Sequence, residues 1–339
     1  MRNQRETQKE KSLPVKRPYA DLHCDTLYAA WRKGAEEIFE MDGAMADVSK
    51  IIQGGCRLQL YAIYMPPPEE IQEAHEYGDD VYIETLHTIF TRTAQKHKEV
   101  FAAAGNMREV ERNAAEGKVS GMLSMEDGRA VEGRFEKIRT FHEMGIRVMG
   151  LTWNHANCFG YPNSTNAEEM QRGLTAFGRE AVSCMEEMGM LIDVSHLSDG
   201  GFWDVVRLAG RPFIASHSNC RALNPHPRSL TDEMIRALAD RGGVMGLNLC
   251  PEFLTGNLEQ QRSAVDDLAR QLRYRINVGG LACAAIGTDF DEIGGELEIA
   301  SADRMPSFFE ALAQRGFTSD ELEHICWRNV ERVFRDVMG

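Results

Sequence analysis

Leu191-Ile192-Asp193-Val194-Ser195-His196 and Pro212-Phe213-Ile214-Ala215-Ser216-His217 are two short apolar runs, each closing on Ser-His, with a helical segment over 201–208 between them. Strand, helical crossover and strand make a βαβ unit, whose two strands lie parallel. The carboxyl end of such a strand is where parallel α/β folds place their chemistry, because the loops there converge on one face. A lone histidine at a strand end is more often a hydrogen-bonded structural residue. Two of them on consecutive strands reverse that preference, since neighbouring barrel strands would bring both within reach of one ion.

The alternation continues in both directions. Short β-rich runs predict strands at about 19–24, 56–64, 119–125, 147–153, 191–195, 212–216, 243–249 and 283–288. Longer segments read as helices over 79–103, 133–144, 165–188, 201–208, 232–240 and 263–277, with a closing helix over 318–338. Thr318 and Glu321 form a capping box at its start. Gly145, Gly189 and Gly242-Gly243 follow helical segments, as a left-handed C-cap before the next strand requires. Eight strands with helical crossovers predict an α/β fold, a TIM-like (β/α)8 barrel of about 250 residues plus insertions. A doubly wound open sheet is the alternative with the same alternation. Residues 1–17 read as a flexible polar tail and 18–339 as a single domain.

Composition narrows the function. The 339 residues are 43% apolar and 27% charged, which is ordinary for a globular protein. A net charge of −14 argues against nucleic-acid binding, which needs a basic face. No run of about 18 apolar residues marks a transmembrane helix. Met1–Arg17 lacks the apolar core of a signal peptide, so the cytoplasm is the expected compartment. Eight cysteines are scattered without a C-x-x-C pair, the pattern of reduced and mostly buried thiols. Cys24 and Cys220 lie beside the residues considered next, but nothing around them marks a nucleophile. Base rates for soluble oligomers favour a homodimer.

Polar groups with metal chemistry follow the strands. His23 and Asp25 come directly after Tyr19-Ala20-Asp21-Leu22. Two apart on extended backbone, they point to one side and can reach the same ion. A chance H-x-D on a surface is common, and its place at a strand end is what singles this one out. Glu126 ends Met122-Leu123-Ser124-Met125, and its two oxygens could bridge metals about 3.5–4 Å apart. Asp127 could take that role instead, and a loop carboxylate is the bland reading of either. Asp289 and Asp291 follow Ala284-Ala285-Ile286-Gly287-Thr288. A carboxylate not used as a ligand could move a proton between the nucleophilic water and a leaving amine. Arg228, in the loop after the His217 run, could clamp a substrate carboxylate in a bidentate pair. Without further context it reads as an exposed loop arginine.

Taken in order, Asp21-Leu22-His23-Cys24-Asp25, Met125-Glu126-Asp127-Gly128, Leu151-Thr152-Trp153-Asn154, Ile192-Asp193-Val194-Ser195-His196, Ser216-His217-Ser218 and Gly287-Thr288-Asp289-Phe290-Asp291 carry a resemblance. They resemble the membrane dipeptidase (renal dipeptidase) family of zinc metallopeptidases, and among them its soluble bacterial members. The match runs from about residue 19 to the C-terminal helix. It implies a TIM-like barrel holding two Zn2+ ions, His23 and Asp25 on one, His196 and His217 on the other, and Glu126 bridging. It also implies a dipeptide substrate, attacked at its peptide carbonyl by a metal-bridging hydroxide, with tolerance of a D-residue at the C-terminal position. By the same resemblance Asp289 transfers the proton and Arg228 binds the terminal carboxylate.

Two departures concern substrate binding. Renal members carry a substrate-binding histidine at the position of Trp153, and the nearest imidazole here is His155. If the strand continues, Trp153 and His155 share a face, and both are candidates for contacting substrate. Phe253 stands where those members have an aromatic hydroxyl. Two other readings of the whole chain stay open. A metal-dependent barrel amidohydrolase or deaminase, acting on a cyclic amide or nucleobase, would usually open with H-x-H and bridge through a carboxylated lysine. A catalytically silent barrel used for binding would have lost ligands, and none is missing.

Overall fold

The computed structural model describes residues 17–75, 78–254 and 261–339, so residues 1–16 of the predicted tail lie outside the described residues. Eight parallel strands form its centre: β1 (Tyr19–Asp21), β2 (Cys56–Tyr64), β3 (Val119–Glu126), β4 (Ile146–Gly150), β5 (Leu191–Asp193), β6 (Ile214–Ser218), β7 (Val244–Leu247) and β8 (Ala284–Ile286). Each pairs with the next in this order, and β8 returns to β1 through Asp21 and Ile286. The ring is closed, which decides for the barrel against the open sheet.

Local chemistry explains most element boundaries. Gly145, Gly189 and Gly242 adopt φ of +96°, +70° and +73°, the left-handed caps that let each helix turn into the next strand. Thr318 and Glu321 form the capping box. The segment predicted as one helix over 165–188 is two, Ala167–Met170 and Ala176–Glu187, because the Thr175 side chain accepts from the Gly178 N–H and restarts the helix. The helix predicted over 79–103 ends at Lys96, and Phe101–Ala103 instead pair with the first half of β3. The strand predicted over 147–153 stops at Gly150, where the chain bends. Helices also form over Thr26–Arg32, Val48–Gly54, Pro68–His75, Met107–Ala115 and Met305–Gln314.

Side-chain alternation then fills the barrel. Leu22, Leu60, Met122, Val148, Leu191, Ile214, Val244 and Ala285, from the eight strands or the residue just past one, share a single apolar cluster, which only the barrel interior allows. The helical run Ser319–Met338 seals the amino ends of the strands, adding Trp327, Val330, Val333, Phe334 and Val337 to that cluster. It is pinned there by the Asn329 amide, which donates to the carbonyls of Leu281 and Ala284 at 2.7 and 2.8 Å. The opposite, carboxyl ends stay free for polar groups.

One strand is irregular. The register of β6 against β7 shifts between Ala215 and Ser218. The Ser216 carbonyl there approaches β7 and the end of β8 so closely that a β-carbon on Gly246 or Gly287 would lie 1.8 Å from its oxygen. Both positions therefore need glycine for space. Gly287→Ala is expected to cost about 1–3 kcal/mol of stability or more, read as a lower urea midpoint with the slope unchanged. An unaltered midpoint would show that this approach is not tight.

Candidate metal centre

The strand ends bring six predicted groups together. His23 Nε2 lies 3.4 Å from Asp25 Oδ2, 3.5 Å from Glu126 Oε2 and 3.7 Å from Asp289 Oδ1. His196 Nε2 lies 2.7 Å and His217 Nε2 3.4 Å from Glu126 Oε1, with 3.0 Å between the two ring nitrogens. The His23 and His217 rings stack with centroids 3.9 Å apart. These atoms form three overlapping sets, His23–Asp25–Glu126, Glu126–His196–His217 and His23–His217–Asp289, each with its ligand atoms within 4.8 Å of one another. The residues of the first two sets are buried, and Asp289 is partly so.

The electrostatics suit a cation. His23 Nε2 and Asp25 Oδ1 are buried without a hydrogen-bond partner. Leaving such groups unmatched in a dry site is unfavourable, and an imidazole–carboxylate set is the donor chemistry of zinc and similar divalent ions. Burial holds the pKa of His196 down at about 4, helped by the Arg228 charge, and burial with the His23 charge lowers His217. Both rings are therefore neutral near pH 7, the form that ligates. Burial opposes a charged His23, but the Asp25 and Glu126 carboxylates outweigh it and hold its pKa well above the usual value. Burial lifts Asp25 to about 8 and raises Asp289, whereas the histidines overcome burial at Glu126 and keep it well below the carboxylate range.

Neighbouring groups fix these donors. Asp193 Oδ1 accepts from the Ser195 N–H (3.0 Å), the Ser195 hydroxyl (2.6 Å) and the Ser216 N–H (2.9 Å), while its Oδ2 accepts from the Ser216 hydroxyl. That hydroxyl stands 2.7 Å from His217 Nδ1, so Asp193 orients the His217 ring through Ser216. Asp21 accepts from the Thr288 N–H (2.8 Å) and hydroxyl (2.6 Å), tying the His23 strand to the Asp289 loop. Asn248 donates to Asp289 Oδ2 at 2.8 Å. Asp127, Asp289 and Asp291 all take left-handed backbone, with φ of +79°, +65° and +82°. At Asp289 and Asp291 this turns apart two acids that a regular strand would place on one face. Asp127 faces away from the cluster to the Arg129 N–H and Asn157 amide, and Asp291 to Thr26 and the N–H groups of Met45 and Ala46.

A cavity of about 430 Å³ opens on these donors, and Asp25, Glu126, Trp153, His196, His217, Arg228 and Asp289 line it. Arg228 is not an exposed loop residue: it is 6% exposed, donating to the carbonyls of Ser195 and His217. Because β4 ends at Gly150, Trp153 and His155 share no strand face. His155 is exposed, outside the cavity lining, with its ring 6.2 Å edge-on from that of Trp153. Sequence reading passed over Tyr64, Asn163, Asn248 and Glu292. Tyr64 ends a strand-like run and Asn248 lies one residue before the end of another, which is their signal in the sequence; Asn163 and Glu292 sit in loops with none.

The family model for membrane dipeptidase (peptidase family M19) matches residues 7–338. An uncharacterised protein of the pqqA 5′ region of Klebsiella pneumoniae is 34% identical over 230 residues, covering 66% of this chain and 84% of that protein. Dipeptidase aclJ of Aspergillus oryzae is 27% identical over 300 residues, 86% of this chain and 69% of its own. The crystal structure of the dipeptidase AC, a metallo peptidase of family M19, superposes with a TM-score of 0.86 at 26% identity, covering 96% of this chain and all of that one. A metallo peptidase from Rhodobacter sphaeroides shares the fold at the same TM-score, 24% identity, and 95% and 100% coverage. No helix of the described residues is long and apolar enough to cross a membrane. Matched by the family model over nearly its whole length, the chain belongs to the membrane dipeptidase family, peptidase family M19, and is a metallo-dipeptidase.

Proposed function

We propose that the enzyme is a dinuclear zinc dipeptidase acting on free dipeptides. The observation that carries this reading is the division of Glu126: Oε2 faces His23 at 3.5 Å, while Oε1 faces His196 at 2.7 Å and His217 at 3.4 Å. One carboxylate thus presents an oxygen to each of two donor sets, His23 with Asp25 and His196 with His217. Zinc bound there would supply Lewis acidity and a water acidic enough to react near neutral pH. The chain's own residues do the rest. Arg228, held over the carbonyls that follow β5 and end β6, takes the substrate's terminal carboxylate. Asp289, oriented by Asn248, hands a proton to the leaving amine. Of the two aromatic candidates for substrate contact, the cavity favours Trp153 over His155. Among the described residues no lysine lines the cavity, which speaks against a carboxylated-lysine amidohydrolase.

The direct test is metal content per chain, measured with hydrolysis of a dipeptide panel. The panel includes D-residues at the C-terminal position, since the Rhodobacter sphaeroides relative was solved with a phosphinate mimic of L-Ala-D-Ala. About two zinc ions per chain are expected, falling toward one in His217→Ala; two retained in the variant would remove His217 from the ligands. Asp289→Asn should keep its metal while kcat drops by about 10²–10⁴-fold, and an active variant would exclude the proton-transfer role. Arg228→Ala should raise KM about tenfold or more for a free dipeptide, and far less for its C-terminal amide. Equal effects on both substrates would refute the carboxylate clamp.

A further inference from the structure

The cavity has a second end that the proposed mechanism does not use. In the strand order, β1 and β2 stand across the mouth from β5 and β6. Arg228 is fixed to the carbonyls of Ser195 and His217, on the β5–β6 side. On the opposite side Tyr64, the last residue of β2, stands level with Glu126, the last residue of β3. Its ring meets Trp153 edge-on at 5.1 Å, and its hydroxyl has no hydrogen-bond partner among the described residues. Beside it are Ile293 and Glu292, three residues beyond Asp289, and all four line the cavity. The loop that carries Glu292 is pinned, because the preceding Asp291 accepts from Thr26, Met45 and Ala46. Glu292 forms no ion pair among the described residues, and its surroundings include the acids Asp289, Glu126 and Glu70 as well as Arg32.

We propose that this end of the cavity selects a cationic side chain, lysine or arginine, at the N-terminal position of the dipeptide, with Glu292 as the residue that recognises its charge. The inference rests on the dipeptidase reading above. A substrate whose carboxylate is held over β5–β6, with its scissile bond over the metal donors, projects its N-terminal residue toward β1–β2. An aliphatic stem would lie along Ile293 and the Tyr64–Trp153 wall, which attracts cations through its ring faces. The charged head would reach Glu292, the one acid there not committed to the donor cluster or to a hydrogen bond. Glu292 is exposed, so the gain is modest: one screened ion pair with a cation–π contribution is worth about fivefold in specificity.

The experiment compares kcat/KM for Lys-Ala and norleucyl-Ala, substrates alike except for the ammonium group, in the zinc-loaded enzyme and in Glu292→Gln. Wild type is expected to favour Lys-Ala by about fivefold or more, and the ratio should fall to near one in Glu292→Gln, chiefly through KM. Glu292→Lys should invert it and favour Glu-Ala over norleucyl-Ala. A wild-type ratio near one overturns the inference while leaving the dipeptidase reading intact. So does a ratio that survives Glu292→Gln, since recognition would then lie elsewhere. Failure of the loaded enzyme to cleave any of these dipeptides overturns the reading on which it rests.

Discussion

The meeting of Glu126 with His23, His196 and His217 in a buried barrel mouth is the constraint on which the remaining structure depends. Three imidazole rings approach the two oxygens of one carboxylate at 2.7–3.5 Å, shielded from water. Such a set is unfavourable by itself, because buried polar groups are stable only when matched. The protein must therefore hold them rigidly enough that they do not relax apart. Parallel strands closed into a ring provide that stiffness, since each is paired on both sides and each donor lies at a strand's carboxyl end or within four residues beyond it.

Rigidity at the mouth is achieved through backbone as much as side chains. The register shift in β6 turns consecutive residues, Ser216 and His217, to different tasks: the serine hydroxyl couples to Asp193 and the imidazole faces Glu126. It is possible only because Gly246 and Gly287 leave space for a carbonyl. Left-handed backbone at Asp289 and Asp291 has a similar effect, separating two acids that a regular strand would place on one face. A buried arginine, Arg228, is then tolerated because backbone carbonyls and the surrounding acids compensate its charge.

Much of this was legible before any coordinates. Periodicity locates every barrel strand to within a few residues, because fully buried parallel strands are short continuous apolar runs. The donors are legible for the same reason: they are the polar residues on which those runs end. What escaped depends on geometry that a linear pattern does not carry. The end of β4 at Gly150 leaves His155 outside, although spacing alone would keep it beside Trp153. Thr175 breaks a long helical pattern by capping, an outcome that turns on one side chain. Phe101–Ala103 leave their helix because β3 offers an unfilled edge ahead of β4, a tertiary opportunity with no local signature. Glu292 sits in a loop, and only closure of the barrel brings it to the mouth.

That closure is made by Asp21 and Thr288, 267 residues apart in the chain. At translation rates of about 5–20 residues per second, roughly 13–50 s pass between synthesis of the two. Throughout that interval the first strand, with His23 and Asp25 behind it, has no eighth strand to lean on. The nascent chain consequently carries scattered histidines and acids that have not yet converged. The convergence of these side chains is therefore among the last features of the fold that the growing chain can complete.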